Sequence, residues 1–182
     1  KQIVYKQSRK WDYLLSDNPF STEKFQSCFM YEKDKILELG YPANDPLYDK
    51  DLDKKADELK TKLGIPKNKK VLLYAPTWRD DNSYGAGEYK FELALDLKRL
   101  KEEIGDEYVI LLRMHYWIVD KLDLTGMSDF VINVSNYSDI TDIYIVSDIC
   151  MTDYSSVFFD YANLKRPILY YMYDLEKYRD VL

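Results

Sequence analysis

Ile149-Cys150-Met151-Thr152-Asp153-Tyr154-Ser155-Ser156-Val157-Phe158-Phe159-Asp160 is the stretch on which the reading of this chain turns. An apolar strand runs into a polar turn, and a helix-like run follows. Two other apolar runs end in the same way. Val71-Leu72-Leu73-Tyr74 leads into Ala75-Pro76-Thr77-Trp78-Arg79-Asp80, and Val109-Ile110-Leu111-Leu112 leads into Arg113-Met114-His115. In an open parallel α/β sheet, ligands bind in the crevice outside the carboxyl ends of the strands. Three polar clusters at three strand ends therefore point to one shared site. Arginine, histidine and hydroxyls that open a helix suit a phosphate-bearing ligand.

Around these anchors the sequence predicts an alternating order. Trp11–Ser16 reads as a short strand. Ser16, Asp17 or Asn18 then caps a helix that begins near Pro19, a residue favoured in a first turn. A second short helix is expected over Lys33–Leu39, ended by Gly40. Gly40–Pro46 is the most turn-rich stretch and reads as a linker. Leu52, Ala56, Leu59 and Leu63 mark one face of a helix over Asp51–Leu63. Strands are expected at Val71–Tyr74, Tyr108–Met114, Phe130–Val134, Asp148–Met151 and Pro167–Tyr171. Helices are expected at Phe91–Ile104, Asp139–Val146 and Ser155–Leu164, the last apolar almost all round and hence buried. Asp80–Tyr89 reads as a polar loop, long enough to be a mobile flap. Strand–helix alternation from Lys69 onward means a doubly wound parallel sheet, an α/β, Rossmann-like fold.

Composition narrows the function classes. With 182 residues, 46% of them hydrophobic, the chain builds one domain, or one domain plus a piece of another. The formal net charge of −6 argues against non-specific nucleic-acid binding, which needs a basic footprint. An anionic ligand must then be held by local Arg, His and backbone N–H groups. The two cysteines, Cys28 and Cys150, read as reduced core residues rather than a disulfide framework. No apolar run approaches 18 residues, so no transmembrane helix is expected. The opening Lys1-Gln2-Ile3 and the ending at Val181-Leu182 suggest a segment of a longer protein.

Each motif carries two readings. Thr152–Ser156 is either a phosphate cradle, with free first-turn N–H groups and hydroxyls, or a plain N-cap, where Ser, Thr and Asp are preferred anyway. No glycine-rich loop accompanies it, so it is neither a Walker motif nor a dinucleotide fingerprint. His115 is the sole histidine and stands two residues after Arg113. Strand alternation places both on one face, where they would hold a pyrophosphate, with His115 protonating or hydrogen-bonding the leaving phosphate. The alternative is a structural histidine. Arg79 is a candidate to neutralise phosphate and Thr77 lies beside it, whereas Trp78 reads better as core. Asp160, in an otherwise apolar run, either binds ribose hydroxyls or ties its helix to the Lys165-Arg166 turn. Asp80-Asp81 is a weak metal hint, better read as a solvated loop, and no zinc-ligand spacing exists. Ser155 lacks the G-x-S-x-G surroundings of a hydrolase nucleophile.

Taken together, Trp11–Ser16, Gly40-Tyr41-Pro42-Ala43-Asn44-Asp45, Tyr74-Ala75-Pro76-Thr77-Trp78-Arg79, Leu112-Arg113-Met114-His115 and Ser147–Asp160 resemble the CDP-glycerol glycerophosphotransferase family, the teichoic-acid primases and polymerases of Gram-positive cell walls. The similarity runs over nearly the whole chain, and Thr-Asp-Tyr-Ser-Ser is its most specific block. The resemblance implies a GT-B-type architecture of two Rossmann-like domains. Residues 1–45 would be the end of the acceptor-side domain plus a linker. Residues 46–182 would be the CDP-glycerol-binding domain, stopping short of a final helix that packs back on the sheet.

The reaction implied is transfer of glycerol phosphate from CDP-glycerol to a hydroxyl of a lipid-linked acceptor, with release of CMP, at the cytoplasmic face of the membrane through peripheral association. CDP-glycerol is a substrate, and no cofactor or metal is implied. His115 matches an essential histidine at the donor phosphates. Thr152, Ser155 and Ser156 match pyrophosphate contacts, Asp153 falls within the same block, and Arg113 and Arg79 are supports. The family's other histidine, the base, belongs to a His-Gly motif of the preceding domain, and this chain has no second His. By that resemblance the segment does not carry out transfer alone. Ala43 stands where the family's linker usually has Arg. Two alternatives remain from the residues: the nucleotide-sugar domain of a GT-B glycosyltransferase, and a non-catalytic binding domain of the same fold.

Overall fold

A computed structural model describes residues 2–77, 93–114 and 124–181. The expected flap at Asp80–Tyr89 lies outside the described residues. The chain divides into two compact units, Lys1–Pro46 and Leu47–Leu182.

The smaller unit is a short βαβ arrangement preceded by helix α1 (Gln2–Ser8). Strand β1 (Leu14–Ser16) pairs in parallel with β2 (Ile36–Glu38), and α2 (Pro19–Cys28) connects them. Asn18 is the cap: its side chain accepts from the Ser21 N–H at 2.9 Å, and Pro19 opens the first turn. Tyr31 is buried and donates its hydroxyl to the Trp11 carbonyl at 2.8 Å. Lys33–Leu39 is not a helix. Only a single 3-10 turn forms at Lys33–Lys35, and Ile36–Glu38 is a strand. Pairing with β1 supplies backbone partners that a seven-residue local pattern cannot reveal, and it overrides the helical reading. Cys28 is exposed rather than a core residue, while Cys150 is buried; both are free.

In the larger unit, α3 (Leu52–Leu63) ends at Gly64, whose φ of +70° is left-handed. The Ile65 N–H reaches back to the Lys60 carbonyl at 2.8 Å and closes the helix end. The sheet then forms from β3 (Lys70–Tyr74), β4 (Tyr108–Leu112), β5 (Val131–Asn133), β6 (Ile149–Thr152) and β7 (Ile168–Tyr170). Its spatial order is β5-β4-β3-β6-β7, and every pair is parallel. Chain order reverses direction between β3 and β6, the arrangement of the Rossmann-like sheet.

Side chains of β3 and β4 alternate between two apolar layers. Val71, Leu73, Val109 and Leu111 join Leu59 of α3, Ile143 of α5 (Ile140–Val146) and Tyr161 of α6 (Val157–Tyr161). Leu72, Tyr74, Ile110 and Leu112 face the other way, toward Leu97 and Leu100 of α4 (Leu97–Ile104). Strands covered on both faces read as continuous apolar runs, which is why these stretches show no polar alternation. The expected three-layer parallel α/β fold is the one found.

Two of the expected helices differ in extent, and a further helix after β7 was not expected. α4 starts at Leu97 because Asp96 caps it, accepting from the Arg99 N–H at 3.0 Å. Leu95 still packs into the second layer from the bend before it. The helix expected over Ser155–Leu164 is the short α6 followed by a 3-10 turn at Ala162–Leu164. It is not buried all round: Tyr161 is fully buried and donates to the Ser147 carbonyl at 2.9 Å, but Phe159 is 69% exposed. One stripe faces the sheet, and the rest faces outward. The last helix, α7 (Leu175–Val181), follows β7. Among the described residues, no helix is long and apolar enough to cross a membrane.

Candidate functional site

The backbone ladder of the large sheet runs out at its carboxyl edge, and the groups left over there must find other partners. At the seam between β3 and β6 they find side chains from the last residue of β6 and the residue after it. The Ala75 N–H continues the ladder by one residue, donating to the Met151 carbonyl at 3.0 Å. The Thr152 hydroxyl then donates to the Ala75 carbonyl at 2.7 Å. Next, Asp153 Oδ1 accepts two backbone N–H groups, from Thr77 at 2.7 Å and from Tyr154 at 2.6 Å. Thr152 is wholly buried, and Asp153 is 2% exposed. A carboxylate so far from water needs charge-assisted hydrogen bonds to be tolerated. Asp153 therefore ties the loop after β3 to the loop after β6.

Beyond Asp153 the chain climbs toward solvent. Tyr154 and Ser155 are half-buried, and Ser156 is exposed. Ser156 takes the position before α6 without a capping hydrogen bond from its side chain. Ser155 Oγ lies 3.4 Å from the Val157 N–H, a long contact. Such capping as the block provides for α6 thus comes from Ser155 rather than Ser156. α6 has only five residues, so its dipole adds little, and local donors of the turn carry any attraction for an anion.

The neighbouring strand end is held differently. The Arg113 N–H donates to the Tyr74 carbonyl at 2.9 Å, setting the end of β4 beside that of β3. The Arg113 guanidinium donates through Nη1 to the carbonyls of Val134 at 2.8 Å and Tyr137 at 2.6 Å, bracing the β5–α5 connection. Burial lowers its pKa from the ordinary value, with the Tyr144 phenol opposing. Ser135 Oγ accepts from the Met114 N–H at 2.9 Å. Residues Arg79, Trp78 and His115 lie outside the described residues.

The structure thus brings Thr77, Thr152, Asp153, Ser155 and Ser156 to one seam, with Arg113 one strand away. Asp160 sits further along α6. There its charge adds to burial in pushing the Tyr144 phenol up. Arg166, the possible partner weighed for Asp160, donates to the carbonyls of Ile145 at 2.7 Å and Ser147 at 2.6 Å, at the carboxyl end of α5. Sequence reasoning missed Tyr178 and Asp174, which meet Tyr154 from α7 and the turn before it. Their four-residue spacing was the available signal. Among the described residues, no group of three or more His, Cys, Asp or Glu is placed to hold a metal ion.

Residues 1–181 match the CDP-Glycerol:Poly(glycerophosphate) glycerophosphotransferase family. The chain is 52% identical over 178 residues to a teichoic acid glycerol-phosphate transferase of Staphylococcus aureus, covering 97% of this chain and 45% of that protein. It is 49% identical over 182 residues to a teichoic acid poly(glycerol phosphate) polymerase of Bacillus spizizenii, covering all of this chain and 46% of the relative. A solved structure of the wall teichoic acid polymerase TagF, a variant soaked with CDPG, superposes with a TM-score of 0.91 at 49% identity, over 100% of this chain and 44% of that one. The chain thus spans less than half the length of these relatives. With a match over nearly every residue, it belongs to the CDP-glycerol:poly(glycerophosphate) glycerophosphotransferase family.

Proposed function

We propose that this segment is the donor-binding part of an enzyme that moves glycerol phosphate from CDP-glycerol to a hydroxyl of a lipid-linked, teichoic-acid-type acceptor. The observation that carries the proposal is the placement of Thr152–Ser156 at the β3/β6 seam, where a parallel sheet of this order binds its ligands. The acceptor oxygen forms a bond to the β-phosphorus of CDP-glycerol. The bond from that phosphorus to the oxygen bridging the α-phosphorus breaks, and CMP leaves with the negative charge. Such transfers are accelerated chiefly by positioning and by groups aimed at the developing charge.

In this reading Ser155, Ser156 and the N–H groups of their turn meet the pyrophosphate. His115 hydrogen-bonds or protonates the leaving phosphate, and Arg79 adds positive charge. Arg113 contributes charge from behind while bracing the β5–α5 connection. Thr77, Thr152 and Asp153 shape the turn from within. The base for the acceptor comes from another domain. A lipid-linked acceptor implies work at the cytoplasmic face of the membrane with peripheral association.

Calorimetric titration of the full-length protein with CDP-glycerol, against CDP-ribitol, CMP and UDP-N-acetylglucosamine, tests this. Selective CDP-glycerol binding, weakened in Ser155→Ala and His115→Ala, is expected. Preference for the UDP-sugar, or binding indifferent to both substitutions, would overturn it.

A further inference from the structure

The turn that carries Ser155 and Ser156 is gripped from two sides. From inside, Asp153 Oδ1 holds the Tyr154 N–H at 2.6 Å. From outside, the Tyr154 ring lies face to face on Tyr178, with centroids 3.6 Å apart and planes 11° from parallel. The Tyr154 hydroxyl donates to Asp174 Oδ1 at 3.3 Å. Asp174 and Tyr178 stand four residues apart, and the Tyr178 N–H donates to the Asp174 carbonyl at 2.9 Å, so both project from one side of the same turn. Both are half-buried, while Leu175, Glu176, Lys177, Arg179 and Asp180 are exposed. A helix of seven residues is not stable by itself in water. The side of α7 that carries Tyr178 is thus the one applied to Tyr154.

We propose that Tyr178 and Asp174 are positioning residues for the donor-binding turn: by holding the Tyr154 ring they set where Ser155 and Ser156 present their donors to the pyrophosphate. This inference rests on the donor-site reading above. Ser155 is bonded directly to Tyr154, so a tilt of the ring and its backbone moves the serine donors with it. An interaction of this kind acts alike on bound donor and transition state, so its loss raises KM and leaves kcat in place.

The test uses the full-length protein, with CDP-glycerol titrations and transfer kinetics. Tyr178→Leu keeps apolar bulk but loses the stacked ring. It is expected to raise Kd and KM for CDP-glycerol about three- to tenfold, the size of one aromatic pair, with kcat within about twofold. Tyr178→Phe keeps the ring and is expected to behave as the unsubstituted protein. Tyr178→Leu with unchanged KM, or Tyr178→Phe as impaired as Tyr178→Leu, overturns the proposal. Ser155→Ala separates the two levels. If it weakens donor binding and Tyr178→Leu does not, only the role of α7 fails. If neither weakens it, the donor-site reading falls as well. Should Tyr178→Leu fail to fold, Asp174→Ala serves in its place, with a raised KM expected and an unchanged KM overturning the idea.

Discussion

In the middle of the large sheet, Val71, Leu73, Val109 and Leu111 are no more than 1% exposed and entirely apolar. At the carboxyl edge of the same sheet, Thr152 and Asp153 are 0% and 2% exposed and fully polar. The middle needs bulk: its backbone groups pair with one another, and side chains have only to fill space. The edge is where the ladder stops. The Ala75 carbonyl and the N–H groups of Thr77 and Tyr154 have no strand beside them there, and the side chains of Thr152 and Asp153 take the place of one. Equal burial thus conceals opposite requirements. Volume can be exchanged in the middle at modest cost, whereas the edge depends on particular pairs of atoms. That dependence lets the loops after β3 and β6 leave the sheet in fixed directions.

The comparison is broken most forcefully by emptying the middle. Leu111→Ala is expected to lower stability by about 2–5 kcal/mol in denaturant unfolding, with CDP-glycerol affinity unchanged in the molecules that remain folded. A loss well under 1 kcal/mol would show that the layer between β4 and α5 is loosely filled.

Asp153→Ala comes next. It leaves two inward backbone N–H groups without their acceptor, for an expected loss of about 2–4 kcal/mol. Unlike Leu111→Ala, it should also weaken donor binding. Asp153→Asn retains an acceptor oxygen and should be markedly milder. Equal behaviour of the two variants in thermal unfolding would dismiss the clamp.

The apolar layer also makes a prediction about pH. Burial pushes the Cys150 thiol up to about 12 from its ordinary 9.0. Burial likewise raises the phenols of Tyr144 and Tyr161 above their ordinary 10.0, with Asp160 adding to the effect at Tyr144. The folded protein keeps protons that the unfolded chain releases. Stability attributable to these groups is therefore complete below pH 9 and falls as pH rises from about 9 toward 12. Urea midpoints measured across that window should decline, and Cys150→Val should flatten the first part of the decline. Midpoints that hold steady to pH 11 would contradict the assignment.

The smallest effect on stability belongs to the exposed end of the turn. Ser156 makes no capping hydrogen bond through its side chain. Ser156→Ala should change stability by less than about 0.5 kcal/mol, yet weaken CDP-glycerol binding several-fold. A stability loss of about 1 kcal/mol would instead mark it as a helix cap.

Much of the fold was legible because its signals are local. The one-sided apolar spacing of Leu52, Ala56, Leu59 and Leu63 and the stop at Gly64 bound α3 almost to the residue. Pro19, after three candidate caps at Ser16, Asp17 and Asn18, located α2, and the structure picks Asn18 among them. The readings that failed involve partners remote in sequence. Ile36–Glu38 looks helical by itself and becomes a strand because Leu14–Ser16 lies beside it. Phe159 looks like core until α6 turns it outward. In the site, the block Thr152–Ser156 was evident, but the division of labour within it was not. Thr152 and Asp153 resemble Ser155 and Ser156 in chemistry, and only burial separates those that hold the backbone from those that face solvent.

By itself, the sequence determined the alternation of strands and helices, the unbroken apolar runs that require cover on both faces, the polar residues that end them, and through those motifs the family. Tertiary structure alone decided that β3 and β6 are neighbours, and hence that Thr77 meets Asp153 across 76 residues of chain and Thr152 meets Ala75 across 77. It also decided that α7 returns Tyr178 to Tyr154. The physical reason is one of range. Propensity, periodicity and capping act within a few residues, so they can be read along the chain. Hydrogen bonds at a strand end and the stacking of two rings depend on which elements the sheet order brings side by side, and that order is settled only when the whole sheet buries both of its faces.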